Sequence, residues 1–295
     1  MQLTASALVS QLLLGLVNGS FYAVLSLGLA VIFGLLNVIN FAHGALFMLG
    51  AMASWMAAEY LGVSYWAMLV IAPLAVGAFG ILVERFLLRR IYHLDHLYGL
   101  LLTLGVTLVV EGLLRSAYGS SGQGYDAPEA LSGATNIGFM VLPTYRAWVV
   151  VASMVVCVGT WYAIERTRLG SYMRAGTENS KLVEAFGINV PLLTTLTYGF
   201  GAALAAFAGV LAAPVIQVSP LMGQNLIIVV FAVVVIGGMG SILGAVVTGL
   251  ALGVVEALAK VAYPQGSATV IFVAMIIVLL MRPAGLFAKE SGARA

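Results

Sequence analysis

Residues able to do acid–base, nucleophilic or metal-ligand chemistry are scarce in this sequence, and their spacing decides which chemistries are open. His93-Leu94-Asp95-His96 has the composition of a metal cluster. A closed zinc site takes three or four protein ligands, and no further strong ligand stands at a recognisable spacing, so this segment reads as a polar turn closing an apolar run. The one cysteine, Cys157, excludes an intrachain disulfide and a cysteine-based zinc site. Its neighbours Met154 to Val158 make it a small core hydrophobe. HExxH, GxSxG and CxxC are all missing. The lysines Lys181, Lys260 and Lys289 follow Ser180, Ala259 and Ala288. None can close a phosphate-binding loop, which needs glycine directly before its lysine. No catalytic residue, metal or cofactor is therefore assigned to this chain, and any ATP chemistry must sit on another one.

Charge is concentrated. The stretch 165–190 holds seven of the 24 Asp, Glu, Lys and Arg residues: Glu165, Arg166, Arg168, Arg174, Glu178, Lys181 and Glu184. Within it Thr177 can cap a helix whose positive end suits Glu178. Gly187 can end that helix and Pro191 can open the next. Residues 178–186 would form a rod of about 13 Å, with Leu182, Val183, Ala185 and Phe186 as an apolar patch. Such a rod can lie on lipid, pack on its own bundle, or enter a groove in a partner. Its mixed charge is poor for lipid binding, which favours a basic face. Elsewhere Glu111/Arg115 and Glu256/Lys260 stand one helical turn apart and read as structural ion pairs. No unpaired carboxylate deep in an apolar run stands out as a proton relay.

The elements that must position these residues are set by the solvent. The chain has 295 residues, 62% hydrophobic and 8% charged, with mean hydropathy +1.09. Soluble domains carry roughly 25% charge, so the solvent is lipid, and in lipid only helices or closed barrels satisfy the backbone. The apolar runs are longer than barrel strands, which predicts an all-α polytopic membrane protein. A span takes about 20 apolar residues. Nine spans follow, near 8–32, 43–58, 64–88, 99–118, 146–164, 191–213, 224–238, 241–259 and 267–282, within a range of eight to ten. The segments 35–44 and 237–244 read as breaks or re-entrant pieces. Basic residues mark cytoplasmic loops. Arg85, Arg89 and Arg90, then Arg166, Arg168, Arg174 and Lys181, then Arg282, Lys289 and Arg294 fall on one side if the amino terminus is outside and the tail inside. That orientation makes 165–190 cytoplasmic and the Gly/Ser-rich loop 119–145 periplasmic, within one transmembrane domain covering 1–295. The first span is retained, since no basic region precedes it to form a cleaved signal.

Two polar clusters lie inside the apolar runs: Asn18, Ser20 and Tyr22, and Asn37, Asn40 and His43, the latter where the helix breaks. Intramembrane polar groups either line a pathway or fix a bundle by hydrogen bonds, and both readings stand. Small residues let helices approach closely in lipid. Gly237, Gly238, Gly240 and Gly244, with pairs such as Gly15/Gly19 and Gly249/Gly253, are the candidate packing positions.

Arg166-Thr167-Arg168-Leu169-Gly170 and Phe186-Gly187-Ile188-Asn189 bracket the charged stretch. With Asn18-Gly19-Ser20-Phe21-Tyr22-Ala23, Asn40-Phe41-Ala42-His43-Gly44, Gly237 to Ser241 and Arg282-Pro283-Ala284-Gly285-Leu286-Phe287, they occur in an order that resembles the ABC importer permeases for branched-chain amino acids, the shorter of the two permease types. The resemblance implies that 165–190 is the coupling loop, with Arg166, Leu169, Gly170, Arg174, Thr177, Glu178, Glu184, Phe186 and Gly187 meeting the ATPase. It further implies a second permease subunit (identical or different), two cytosolic ATPases holding ATP and magnesium, a periplasmic substrate-binding protein, a multi-pass place in the bacterial inner membrane, and no nucleic acid. Two departures stand out: Arg168 replaces a commoner proline, and Ala45 follows the NFAHG element where relatives often carry an acid. Ala45 weakens the case for a charged amino group binding there. A permease for urea, short amides or another amino acid is the alternative within the class. A stand-alone ion-coupled transporter is the alternative outside it.

Overall fold

The computed structural model describes residues 5–36, 38–136, 138 and 140–288. Eleven helices account for most of them: α1 Ala5–Leu36, α2 Ala42–Leu61, α3 Tyr65–Phe86, α4 His96–Tyr118, α5 Thr144–Glu165, α6 Arg168–Glu178, α7 Ser180–Ala185, α8 Val190–Ala212, α9 Met222–Gly237, α10 Ile242–Ala262 and α11 Thr269–Met281. Each of the nine expected spans coincides with an apolar helix. Seven are long and apolar enough to cross a membrane, while α9 and α11 are shorter. Both expected breaks are present. The helix stops at Leu36 and restarts at Ala42, and Gly238 (φ 98°) and Gly240 (φ 81°) turn the chain between α9 and α10.

The all-α expectation needs one correction. Within 119–145, β1 Ala134–Asn136 and β2 Val141–Pro143 pair antiparallel with Thr135 opposite Leu142. Gly138 takes a φ of 88°, and its N–H donates to the Asn136 side chain at 2.9 Å. The turn is therefore closed locally, and a short ladder satisfies backbone groups that a bare connection would leave to water.

Backbone contacts divide the chain into two compact units. One comprises 1–27, 127–158 and 229–295. There the first half of α1 lies against α10, so closely that a Cβ on Gly19 would sit 2.9 Å from the Leu250 backbone. The carboxyl-terminal segment returns to the end of α9, where Leu286 and Phe287 donate to the carbonyls of Ile236 and Gly237 at 2.8 and 3.2 Å. The glycine turn and the Arg282–Phe287 segment thus close on each other.

The second unit comprises 28–126 and 159–228. Helix α8 is its centre and packs on α2 and α3. Lipid gives apolar side chains no reason to prefer one another, so this contact depends on backbone approach through small residues. A Cβ on Gly50 would collide with Ala206 and one on Gly209 with the Phe47 carbonyl, while one on Gly77 would lie 3.1 Å from the Gly199 carbonyl. Toward one end of α3, Ile32, Val38, Val83, Leu88 and Tyr198 form a buried cluster. Ser64 caps α3 and Asp95 caps α4, accepting from the Ala67 and Leu97 amides at 3.4 and 2.9 Å. The aspartate of His93–His96 is thus occupied as a helix cap.

Gly209→Val should sharply lower the yield of monodisperse protein after detergent extraction, because overpacking a close backbone contact costs about 1–3 kcal/mol or more. Gly105→Ala, where a Cβ meets nothing within 4 Å, should leave that yield unchanged. Equal losses in the two variants would contradict this packing scheme.

Candidate functional site

The charged stretch folds as two short helices rather than one rod. Thr167 caps α6, accepting from the Leu169 amide at 3.3 Å and donating to the Ala163 carbonyl. Gly170 sits directly on the Ile164 carbonyl, where any Cβ would collide. The Arg-Thr-Arg-Leu-Gly element, residues 166–170, is therefore a tight corner between α5 and α6. Arg174 pairs with Glu165 at 3.4 Å, and Arg166 lies 5.7 Å from the centre of the Trp161 ring. Both contacts are solvent-exposed, and such pairs contribute about 0–1 kcal/mol. They trim the orientation of α6 without fixing it.

Asn179, not Thr177, starts the second helix. Its backbone is extended (φ −154°), and its side chain accepts from the Leu182 amide at 3.0 Å. Thr177 and Glu178 end α6 instead, with the Thr177 hydroxyl donating to the Arg174 carbonyl at 2.7 Å. The reason is local: that back-bond keeps Thr177 helical, whereas Asn179 is extended and free to cap through its side-chain amide oxygen. Gly187, at φ 82°, stops α7, and Asn189 caps α8 through the Leu192 amide at 3.0 Å.

The apolar patch is also divided. Val183 turns inward and is buried, while Leu169, Leu182 and Phe186 face outward, Phe186 at 78% exposure. Exposed large apolar groups on a short, capped element form a knob that no described residue covers. Glu184 is exposed and lines a cavity of about 300 Å³ with Gly176, Leu35, Val38, Tyr92 and Glu84.

Glu84 is the residue that sequence reasoning missed. It is fully buried, and it accepts from Thr195 of α8 at 2.5 Å and from the Tyr92 hydroxyl at 3.0 Å. Burial, and then the nearby Glu84 carboxylate, raise the pKa of Tyr92 well above that of a free phenol. The tyrosine therefore stays protonated and donating through the physiological range. No ion pair involves Glu84 among the described residues, so the expectation of no unpaired buried carboxylate is corrected. A signal did exist: Gly77, Gly80 and Glu84 recur at helical spacing, which puts the carboxylate on the small-residue face that meets α8. Thr195 lies one turn beyond Pro191, where α7 hands over to α8. The carboxylate thus ties α3 to the first turns of α8 and to the turn between α3 and α4 through two hydroxyls.

At the break between α1 and α2, Asn40 and His43 are fully buried, and Asn37 lies outside the described residues. Thr103 of α4 accepts from the Phe41 amide at 3.1 Å. The Asn40 carbonyl accepts from the His43 amide at 3.3 Å, and the Asn40 side chain lies near the buried Tyr198 hydroxyl. In the other unit, Asn18 is half-buried, Ser20 donates to its own Leu16 carbonyl at 2.8 Å, and Tyr22 donates to Glu256 at 2.7 Å. Lys260 pairs with Glu256 at 2.8 Å as expected. Glu111 does not pair with Arg115. It accepts from Gln224 of α9, because it continues the buried stripe Gly99, Thr103, Thr107 of α4, while Arg115 is exposed. Gly237 and Gly244 meet backbone to backbone, and Gly238 abuts Ala288.

Comparison with known proteins agrees over nearly the whole chain. A family model described as branched-chain amino acid transport system / permease component matches residues 11–281. The high-affinity branched-chain amino acid transport system permease protein BraD of Pseudomonas aeruginosa is 32% identical over 95% of this chain and 96% of its own. LivH of Escherichia coli K12, with the same description, is 30% identical with the same coverage. A probable branched-chain amino acid transport permease of Methanocaldococcus jannaschii is 25% identical over 92% of this chain and 90% of its own. No solved structure matches.

Thr195→Val removes one donor to a buried carboxylate, which costs about 1–3 kcal/mol. The thermal midpoint of the purified protein should fall, whereas Thr194→Val, one residue away and outside the hydrogen bond, should leave it in place. Unchanged melting of the Thr195 variant would show that the cluster does not hold α3 to α8.

Proposed function

The chain belongs to the family of branched-chain amino acid transport permeases, and we propose that its exposed Leu182–Phe186 knob is the point at which ATP-driven motion enters the membrane bundle. In this reading the protein is the membrane subunit of an ABC importer in the bacterial cytoplasmic membrane. It works with a second permease subunit, two cytosolic ATPases that hold ATP and magnesium, and a periplasmic protein that delivers aliphatic amino acids. It has no catalytic residues of its own. Nine crossings, with the amino terminus outside and the tail inside, place α6 and α7 in the cytoplasm.

The observation that carries the proposal is the split of α7. Val183 anchors one side while Phe186 and Leu182 stand in solvent on the other. An amphipathic helix presented this way is the shape that enters an apolar groove in a partner. Coupling needs contacts that differ between the two states of the ATPase. A rigid element can supply them: caps at Asn179 and Asn189 bound it, and Gly187 sets the angle between α7 and α8. Movement of α7 would reach α3 by way of Pro191, Thr195 and Glu84. The lysines, with no glycine before any of them, agree with an energy source on other chains.

Phe186→Asp and Glu184→Arg, placed singly in the assembled transporter, should each leave insertion intact and cut ATP-driven uptake of leucine by on the order of tenfold or more. A lost apolar anchor at an interface hot spot typically costs 2 kcal/mol or more. Co-purification of the ATPases should weaken in parallel. Undiminished uptake with both changes would defeat the proposal.

A further inference from the structure

One polar group in the second unit has no structural use for half of its hydrogen-bonding capacity. Glu111 is 4% exposed; its Oε2 accepts from Gln224, and its Oε1 is buried with no partner. An unpartnered buried carboxylate oxygen is costly, and intramembrane carboxylates mark ligand sites by default. Glu111 lines a cavity of about 260 Å³ bounded by α2, α4 and α9. Apart from Glu111, Gln224 and Thr107, its walls are apolar, with Phe41, Leu104 and Ile227 prominent. Gly44 and Ala45, in the first turn of α2, line the same cavity. A helix start carries partial positive charge and attracts carboxylates, and no side chain caps this one. The close approach of Gly44 to the Gly223 carbonyl, 2.7 Å from where a Cβ would stand, holds α2 and α9 together where both line the cavity.

We propose that this cavity is a transport subsite for a zwitterionic aliphatic amino acid, with Glu111 receiving the ammonium, the start of α2 facing the carboxylate, and Phe41, Leu104 and Ile227 enclosing the side chain. The proposal rests on the permease reading above and supplies its substrate contact. It also revises the inference from Ala45. That alanine lines the same cavity as a carboxylate from another helix, so the region offers an acidic group after all. The volume and the single carboxylate suit leucine, isoleucine or valine, whose side chains are apolar and whose charges lie at one end. A second charge on the substrate would find no partner among these walls. Glu111 lies within the α4 span, about 22 Å along the helix from its start and about 10 Å from its end.

The test uses the complete transporter, with its second permease, ATPases and binding protein, reconstituted in liposomes. Glu111→Gln keeps the shape and still offers Gln224 an acceptor, so a purely structural role predicts near-normal uptake. The subsite predicts that uptake of leucine falls by about tenfold or more, as for loss of a charge-assisted hydrogen bond, while ATP hydrolysis stimulated by loaded binding protein persists. Glu111→Asp should recover part of the uptake. Should Glu111→Gln fail to assemble, the wild-type complex decides. Labelling of Glu111 by dicyclohexylcarbodiimide, read by mass spectrometry, should slow during leucine transport. Normal uptake by Glu111→Gln, or labelling indifferent to leucine, overturns the subsite alone. A wild-type complex that takes up no leucine, isoleucine or valine overturns the permease reading on which it rests.

Discussion

Close approach of backbones in a solvent that gives apolar side chains no reason to associate is the constraint from which the rest of this structure follows. In lipid, leucine against leucine gains little over leucine against an acyl chain, so helices hold together where small residues let backbones meet. Helix α8 shows this on two sides at once: Gly209 and Ala206 admit α2, and Gly199 and Ala203 admit α3. Large side chains then face outward as ordinary lipid-facing surface, which is why so many leucines and valines of α3 and α4 are exposed. What would be an aggregation hazard in water is here the normal exterior.

Buried polar groups work within that frame. Glu84 is tolerable only because α8 is near enough for Thr195 to donate to it, and because Tyr92 closes its other side. Glu111 is tolerable in part because Gly44 and Gly223 bring α9 close enough for Gln224. In each case a costly group is used to fix one arrangement, since the desolvation penalty falls sharply only when the donors are in place. The two donors to Glu84 come from the α8 turn that follows the 165–190 segment and from the turn between α3 and α4, so one carboxylate joins three elements.

Much of this was legible in the sequence. Apolar run length located every large helix, and Gly187 and Pro191 marked the end of one helix and the start of another where they do occur. The charged stretch 165–190 coincides with the two short helices α6 and α7 between the long apolar α5 and α8. The misreadings share a cause. Thr177 satisfies the composition rule for a cap, yet its hydroxyl found the Arg174 carbonyl within its own helix, and Asn179 took the role. Arg115 stands at pairing distance from Glu111 along one helix, yet Gln224, 113 residues away, is the partner. Glu84 was passed over because its partners Thr195 and Tyr92 are brought to it only by the packing of the glycine face of α3. One-dimensional spacing ranks local partners first, whereas a membrane interior rewards whichever donor the packing brings in, and that donor is often distant in the chain. The β1–β2 ladder was invisible for a related reason, since three-residue strands carry too little pattern to be told from a loop.

The central claim is that Phe186 sits in a groove of an ATPase subunit. A photo-crosslinking residue placed at position 186 in the assembled complex tests it most directly. The account predicts a crosslink to the ATPase whose yield differs between the nucleotide-free and ATP-bound states. Adducts with lipid alone, or with this chain alone, in both states would contradict it.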